Sequence, residues 1–209
     1  MKRNINCLIL DLGGVILNLN YNLTAEKFTR FTGKSFDEIY SQAKQKTTFD
    51  EFERGEISNE NFRAQIRNLL NSTISDEKID EAWNAMLLDL PLQRLIFIEK
   101  LAEKYPIYLL SNTNAIHKKA FDEILSAAGI LERFTKVFQK LYFSHEVKMR
   151  KPDASVFELI IAENNLNAEQ ILFVDDSFQH IEGANAVGLQ TLFLEKPKVI
   201  EDELRFLLI

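Results

Sequence analysis

Ile5-Asn6-Cys7-Leu8-Ile9-Leu10-Asp11-Leu12-Gly13-Gly14-Val15-Ile16-Leu17 is a short apolar run that stops at a carboxylate, with two adjacent glycines close behind. The run is too apolar for a half-exposed strand and predicts a buried parallel one. Asp11 then stands at the strand's C-terminal end, where open α/β sheets bind their ligands. Gly13 and Gly14 allow a sharp turn and a close approach of backbone to a ligand. Taken alone, an Asp before glycines also reads as a simple turn former. Three further strand or loop ends with matching chemistry decide between the two readings.

Working outward, the pattern changes between about Leu23 and Leu90. Proline is absent there, and apolar residues recur at helical spacing: Phe28 and Phe31; Phe36, Ile39, Tyr40 and Ala43; Phe62, Ile66, Leu69 and Leu70; Ile79, Ala82, Trp83 and Met86. Ser58 and Ser75 have the character of helix N-caps. This predicts an all-helical insert of about four helices, a cap over residues 19–90 hanging above the Asp11 loop. Residues 1–18 and 91–209 would form the core domain.

From Pro91 onward strands and helices alternate. Strands are expected at Ile107–Leu110, Leu141–Phe143, Ile171–Val174 and Thr191–Leu194. Helices are expected at Leu95–Lys104, Ala115–Ala128, Ala154–Asn164, Ile181–Val187 and Val199–Leu208. That alternation implies an α/β fold, a Rossmann-like parallel sheet flanked by helices with right-handed crossovers.

Composition narrows the class. A chain of 209 residues, 46% hydrophobic and 27% charged, is an ordinary globular protein. Its net charge of −6 argues against wholesale nucleic-acid binding. No apolar run approaches the roughly 20 residues that cross a bilayer, so no membrane partner is expected. Met1-Lys2-Arg3 before an apolar run loosely resembles a signal peptide, but the run ends at Asp11 without a small-residue cleavage site. The single cysteine, Cys7, falls inside the first strand and is expected to be a buried, inert thiol, consistent with a reducing cytoplasm. The sequence is silent on oligomeric state.

Four places carry convergent polar chemistry: Asp11; Ser111-Asn112-Thr113-Asn114; Arg150-Lys151-Pro152; and Asp175-Asp176. In a parallel sheet the strand ends share one rim. Three carboxylates there repel unless a cation joins them. Oxygen ligands suit a hard divalent ion, Mg²⁺ above all, which also takes a phosphate oxygen. Lys151 supplies another positive charge, Ser111 a hydroxyl, and the amides after Ser111 open a helix that favours an anion. Together these are the requirements of phosphoryl transfer.

The chain at this point resembles the haloacid dehalogenase superfamily. The motifs fall in order as Asp11-Leu12-Gly13-Gly14-Val15, Leu109-Leu110-Ser111-Asn112-Thr113-Asn114, Met149-Arg150-Lys151-Pro152-Asp153 and Phe173-Val174-Asp175-Asp176-Ser177. The resemblance spans the whole chain. Glu53-Arg54-Gly55-Glu56-Ile57-Ser58 and Ile181-Glu182-Gly183-Ala184-Asn185 add a narrower similarity to bacterial α-D-glucose-1-phosphate phosphatases. The resemblance implies a Mg²⁺-dependent phosphatase acting on a small phosphate ester, a sugar phosphate by preference. Asp11 would be the nucleophile that forms an aspartyl-phosphate. Ser111, Asn112 and Lys151 would serve the phosphoryl group. Asp11, the Gly13 carbonyl, Asp175 and Asp176 would hold the metal.

One departure stands out. Most phosphatases of this superfamily carry a second Asp, an acid and base, where this chain has Gly13. That leaves no obvious proton donor for the leaving oxygen, and implies a slow enzyme or an activated leaving group such as a sugar 1-phosphate. Two alternatives follow: a weak or inactive binding module that keeps the fold, and a metal-independent dehalogenase. Elsewhere, His117 reads as a first-turn surface residue with a site role as the alternative, His145 as a residue before the Lys151 loop with a site role as the lesser alternative, His180 as solvated, and Lys44-Gln45-Lys46 as a wet helix face. Glu53-Arg54-Gly55-Glu56 is either a turn between helices or a segment that reaches the crevice.

Overall fold

The computed structural model describes residues 4–33 and 48–209. The expectations for Met1-Lys2-Arg3, for Phe36, Ile39, Tyr40 and Ala43, and for Lys44-Gln45-Lys46 lie outside the described residues.

Five parallel strands form one sheet in the order β3-β2-β1-β4-β5. They are β1 (Cys7–Leu10), β2 (Ile107–Ser111), β3 (Lys140–Phe143), β4 (Ile171–Asp175) and β5 (Gln190–Phe193). β1 is central, with Leu8 in register with Ile107 on one side and Leu172 on the other. The side-chain period of two divides its apolar run between two faces. Leu8, Leu10, Leu109, Leu172 and Val174 enter one core; Cys7, Ile9, Leu110, Ile171 and Phe173 enter another. Both faces are dry because helices cover both, which is why the run lacks polar alternation. Burial pushes the Cys7 thiol up to about 12, so it stays protonated and inert.

Helices α1 (Tyr21–Thr32), α2 (Thr48–Glu53), α3 (Asn59–Leu70) and α4 (Asp76–Asn84) lie between β1 and β2. Ser58 and Ser75 cap α3 and α4 by accepting from the amides of Asn61 and Lys78. Phe28, Phe52, Phe62, Ile79 and Trp83 bury one another in a third core that also takes Ile116 from the helix after β2. The chain enters this helical segment through Asn18–Asn20 and leaves it through Met86–Asp89. These two passages pair side by side: the Asn18 amide donates to the Asp89 carbonyl, that of Leu88 to the Asn18 carbonyl, and that of Asn20 to the Met86 carbonyl.

The remaining helices are α5 (Leu92–Ala102), α6 (Ala115–Ala127), α7 (Leu131–Val137), α8 (Ser144–Val147), α9 (Ala154–Glu163), α10 (Phe178–Ala186) and α11 (Ile200–Glu203). The C-terminal segment departs from its expected single helix. After Glu203 it tightens into a 3₁₀ turn, Arg205–Leu207, that keeps both Leu204 and Leu207 in the core. No helix among the described residues is long and apolar enough to cross a membrane.

Candidate active site

β1, β2 and β4 end on the same rim, so the polar groups that follow them meet. Asp11 is anchored by its own amide, which donates to the Val174 carbonyl. Between Asp11 and Asp175 lies the ammonium of Lys151, with no exposed surface at all. Its Nζ is 2.5 Å from Asp11 Oδ1 and 2.6 Å from Asp175 Oδ2, and it donates to the Leu110 carbonyl at 3.0 Å. Burial pulls the ammonium down, but the two carboxylates outweigh it and hold Lys151 above its usual value.

One oxygen each of Asp11, Asp175 and Asp176 lies within 4.8 Å of the others. Burial raises the Asp11 carboxyl to about 7 against the pull of Lys151, with Asp175 and Asp176 adding to the rise. Asp176 is raised too, by burial and then by Asp175. Asp175 goes the other way. Burial opposes its charge, but Lys151 and His180 together keep it below the ordinary carboxylate range. A cluster of oxygen donors with two carboxyls raised in this way fits a hard divalent cation, whose charge would relieve both. Gly14 brings the loop close enough: its φ is +80°, and a Cβ there would run into the Asp176 carboxylate.

A cavity of about 570 Å³ opens above the rim, with Asp11, Gly13, Ser111, Asn112 and Asp176 on its floor. Phe49, Glu53, Trp83 and Met86 from the helical segment line its other side. Trp83 stacks on Phe49 at 5.2 Å and on His117 at 4.9 Å, making a continuous aromatic wall. The segment is clasped to the loop that bears Lys151. Arg150 pairs with Asp50 at 2.5 Å and Glu53 at 2.8 Å, Arg54 with Asp153 at 2.9 Å, and Lys148 donates to the Gly55 carbonyl at 2.6 Å.

Several expected residues turn out differently. Asn112 lines the cavity, but its side chain is turned to the Lys151 backbone, accepting from that amide and donating to that carbonyl, each at 2.9 Å. Its amide therefore braces the lysine loop. His180 is not solvated: its Nδ1 lies 2.9 Å from Asp175 Oδ1, and with the Ser177 amide at 2.8 Å it fixes that carboxylate. The cause is a helix boundary, since α10 begins at Phe178 and puts His180 in its first turn facing the rim. His117 is half-buried in the cavity wall rather than on the surface, with Nδ1 2.9 Å from Asn84 Oδ1. Glu56 is exposed, whereas Glu53 reaches the cavity. His145 is not among the cavity residues.

A family model for haloacid dehalogenase-like hydrolases matches residues 9–194. The chain belongs to that family. This hydrolase is 28% identical over 185 residues to a D-ribitol-5-phosphate phosphatase of Bacteroides thetaiotaomicron, covering 88% of this chain and 89% of that one. A haloacid dehalogenase family enzyme of the same organism, solved with magnesium and inorganic phosphate, superposes with a TM-score of 0.83 at 32% identity. That match covers 95% of this hydrolase and 98% of the other chain. The L-2-haloacid dehalogenase of Xanthobacter autotrophicus shares the fold at 16% identity, with a TM-score of 0.62, covering 91% of this chain and 77% of its own.

Proposed function

We propose that this hydrolase is a Mg²⁺-dependent phosphatase for a small sugar or polyol phosphate, with Asp11 as its nucleophile. The observation that carries the reading is the buried ammonium of Lys151 bonded to Asp11 and Asp175, with Asp176 beside them. A dehalogenase has no need of the Asp175–Asp176 pair. The relative solved with magnesium and phosphate supports the metal, and the D-ribitol-5-phosphate phosphatase supports a polyhydroxylated substrate. The narrower resemblance to glucose-1-phosphate phosphatases points to the same broad class. The cavity volume suits such an ester, and the Phe49–Trp83–His117 wall offers an apolar face to sugar carbons. Residues 19–90 act as the cap and residues 1–18 with 91–209 as the catalytic core. The buried thiol of Cys7 fits a reducing cytoplasm.

In this mechanism Asp11, Asp176, the Gly13 carbonyl and Asp175 would hold the ion. Its charge there would favour the ionised form of Asp11 and offset that of the phosphoryl oxygens. Lys151 orients the Asp11 carboxylate and adds its charge beneath the phosphoryl group, whose oxygens Ser111 would receive. Asn112 keeps the lysine loop in place. Asp11 attacks phosphorus, the ester oxygen departs, and water then cleaves the aspartyl-phosphate.

The test is turnover of chelator-treated protein on a panel of phosphate esters, before and after Mg²⁺ is added. Hydrolysis should appear only with the metal and be fastest on sugar or polyol phosphates. Metal-independent turnover of a haloacid would replace the reading with a dehalogenase, and the absence of any turnover would leave a binding module.

A further inference from the structure

An ordinary alkoxide leaves phosphorus slowly unless it is protonated as it departs. Gly13 offers no side chain for this, and the end of the Leu19 side chain, Cδ1, stands 2.7 Å from where its Cβ would be. The donor has to come from elsewhere in the cavity. Asp11 and Asp176 are committed to attack and to the metal. His180 is held on Asp175. His117 gives its Nδ1 to Asn84, and burial lowers it to about 3, so its other nitrogen carries no proton to give. Tyr21 is 59% exposed, at the cavity's edge.

Glu53 remains. It ends α2, lines the cavity opposite Asp11, and is brought there by the helical segment rather than by the sheet. Its Oε2 is buried and has no hydrogen-bond donor among the described residues. The guanidinium of Arg150 forms an ion pair with that oxygen at 2.8 Å. We propose that Glu53 is the proton donor to the departing alkoxide, and the base that afterwards deprotonates the attacking water. The inference rests on the phosphatase reading and says which residue completes it.

The electrostatics agree. Burial raises the Glu53 carboxyl; Arg150 opposes this, Asp50 adds to it, Lys151 opposes it, and the balance lies above the ordinary range. A raised carboxyl is what a general acid needs near neutral pH. In the first step Asp11 Oδ bonds to phosphorus, the ester P–O bond breaks, and the Glu53 proton passes to the alkoxide to give the alcohol. In the second step Glu53 takes a proton from water, the water oxygen bonds to phosphorus, and the bond from phosphorus to Asp11 breaks. Inorganic phosphate leaves, and both carboxyls are restored.

The experiment compares wild type with Glu53→Gln on phosphate monoesters whose leaving groups run from p-nitrophenol to a simple alcohol, with Mg²⁺ present. For alkyl esters kcat/KM, which reports the steps up to loss of the leaving group, should fall by about 10²–10⁴-fold, whereas for p-nitrophenyl phosphate kcat/KM should hold while kcat falls, because hydrolysis of the aspartyl-phosphate has lost its base. A uniform fall in kcat/KM across the series would make Glu53 a substrate-binding residue and overturn the proposal. So would an unchanged profile. Should the variant misfold, wild type alone decides: kcat/KM on an alkyl ester should drop at high pH as Glu53 ionises, while kcat/KM on the p-nitrophenyl ester should show no such limb. Identical limbs for both esters would refute the donor role. Wild-type protein that hydrolyses no phosphate ester at all would instead sink the phosphatase reading, and this inference with it.

Discussion

Lowering the pH should expose His117. Its ring is sandwiched against Trp83, its Nδ1 faces Asn84 Oδ1, and burial pulls its pKa from 6.5 to about 3. The unfolded chain therefore takes up a proton near 6.5, while the folded chain does not until about 3. Between those values the unfolded state binds more protons, so stability rises with pH and is lost as pH falls. At pH 5 the loss is about 2 kcal/mol, worked from the ratio of the two binding polynomials. That figure is set by the unfolded value so long as the folded one lies well below 5. For a chain of this size it corresponds to a drop of about 4–8 °C in Tm. The assay is urea unfolding of wild type and His117→Gln at pH 7.5 and pH 5.0. Carboxylates that titrate in both proteins cancel, and the variant should lose about 2 kcal/mol less than wild type between the two conditions. Equal losses would mean that the folded imidazole protonates near its ordinary value, and would refute a dry, neutral His117 in the cavity wall.

Other substitutions probe the rim. Asp11→Asn should cut phosphate-ester turnover by several orders of magnitude while the metal-free protein holds or gains stability. That gain should grow as pH rises toward about 7, because ionising the raised Asp11 carboxyl costs the wild-type fold; a stability loss in equilibrium unfolding would contradict this. Lys151→Ala leaves Asp11 and Asp175 buried without their cation and should cost on the order of 3–5 kcal/mol, measured by urea unfolding. A cost below about 1 kcal/mol would mean that water reaches the site freely. Gly13→Asp should cost less than about 1 kcal/mol in urea unfolding, because the atom it meets, Leu19 Cδ1, is the end of a flexible side chain that can turn aside; a larger cost that Leu19→Ala relieves would show that Leu19 cannot move.

Much of this molecule is written locally. β1 is legible because a strand covered on both faces must be apolar at every position, and Asp11 is legible because the run ends there. The caps of α3 and α4 are legible in Ser58 and Ser75. What the sequence hides is partnership across distance. The Asn112 amide reads like a phosphate ligand, yet its partner is the backbone of Lys151, 39 positions away. The stacking of Trp83 on His117 joins two segments whose periodicities say nothing of each other. His180 was hidden by a boundary three residues out, which changed its direction from solvent to Asp175. The C-terminal apolar positions Ile200, Leu204 and Leu207 have helical spacing, but the burial they need is met by a short helix and a tighter turn.

The position of β1 also bears on how the chain is made. It is synthesised before the other four strands and sits in the middle of the sheet, so both its edges wait for partners. β2 follows after roughly 100 residues, and at usual rates of translation its arrival takes on the order of 5–20 s. β4 comes later still. The helices between β1 and β2 build their own core and can form during that interval. β1 is therefore the strand that waits longest for its two partners. Slowing elongation ahead of β2, or removing a chaperone that covers such strands, should reduce soluble yield without altering the stability of the finished protein.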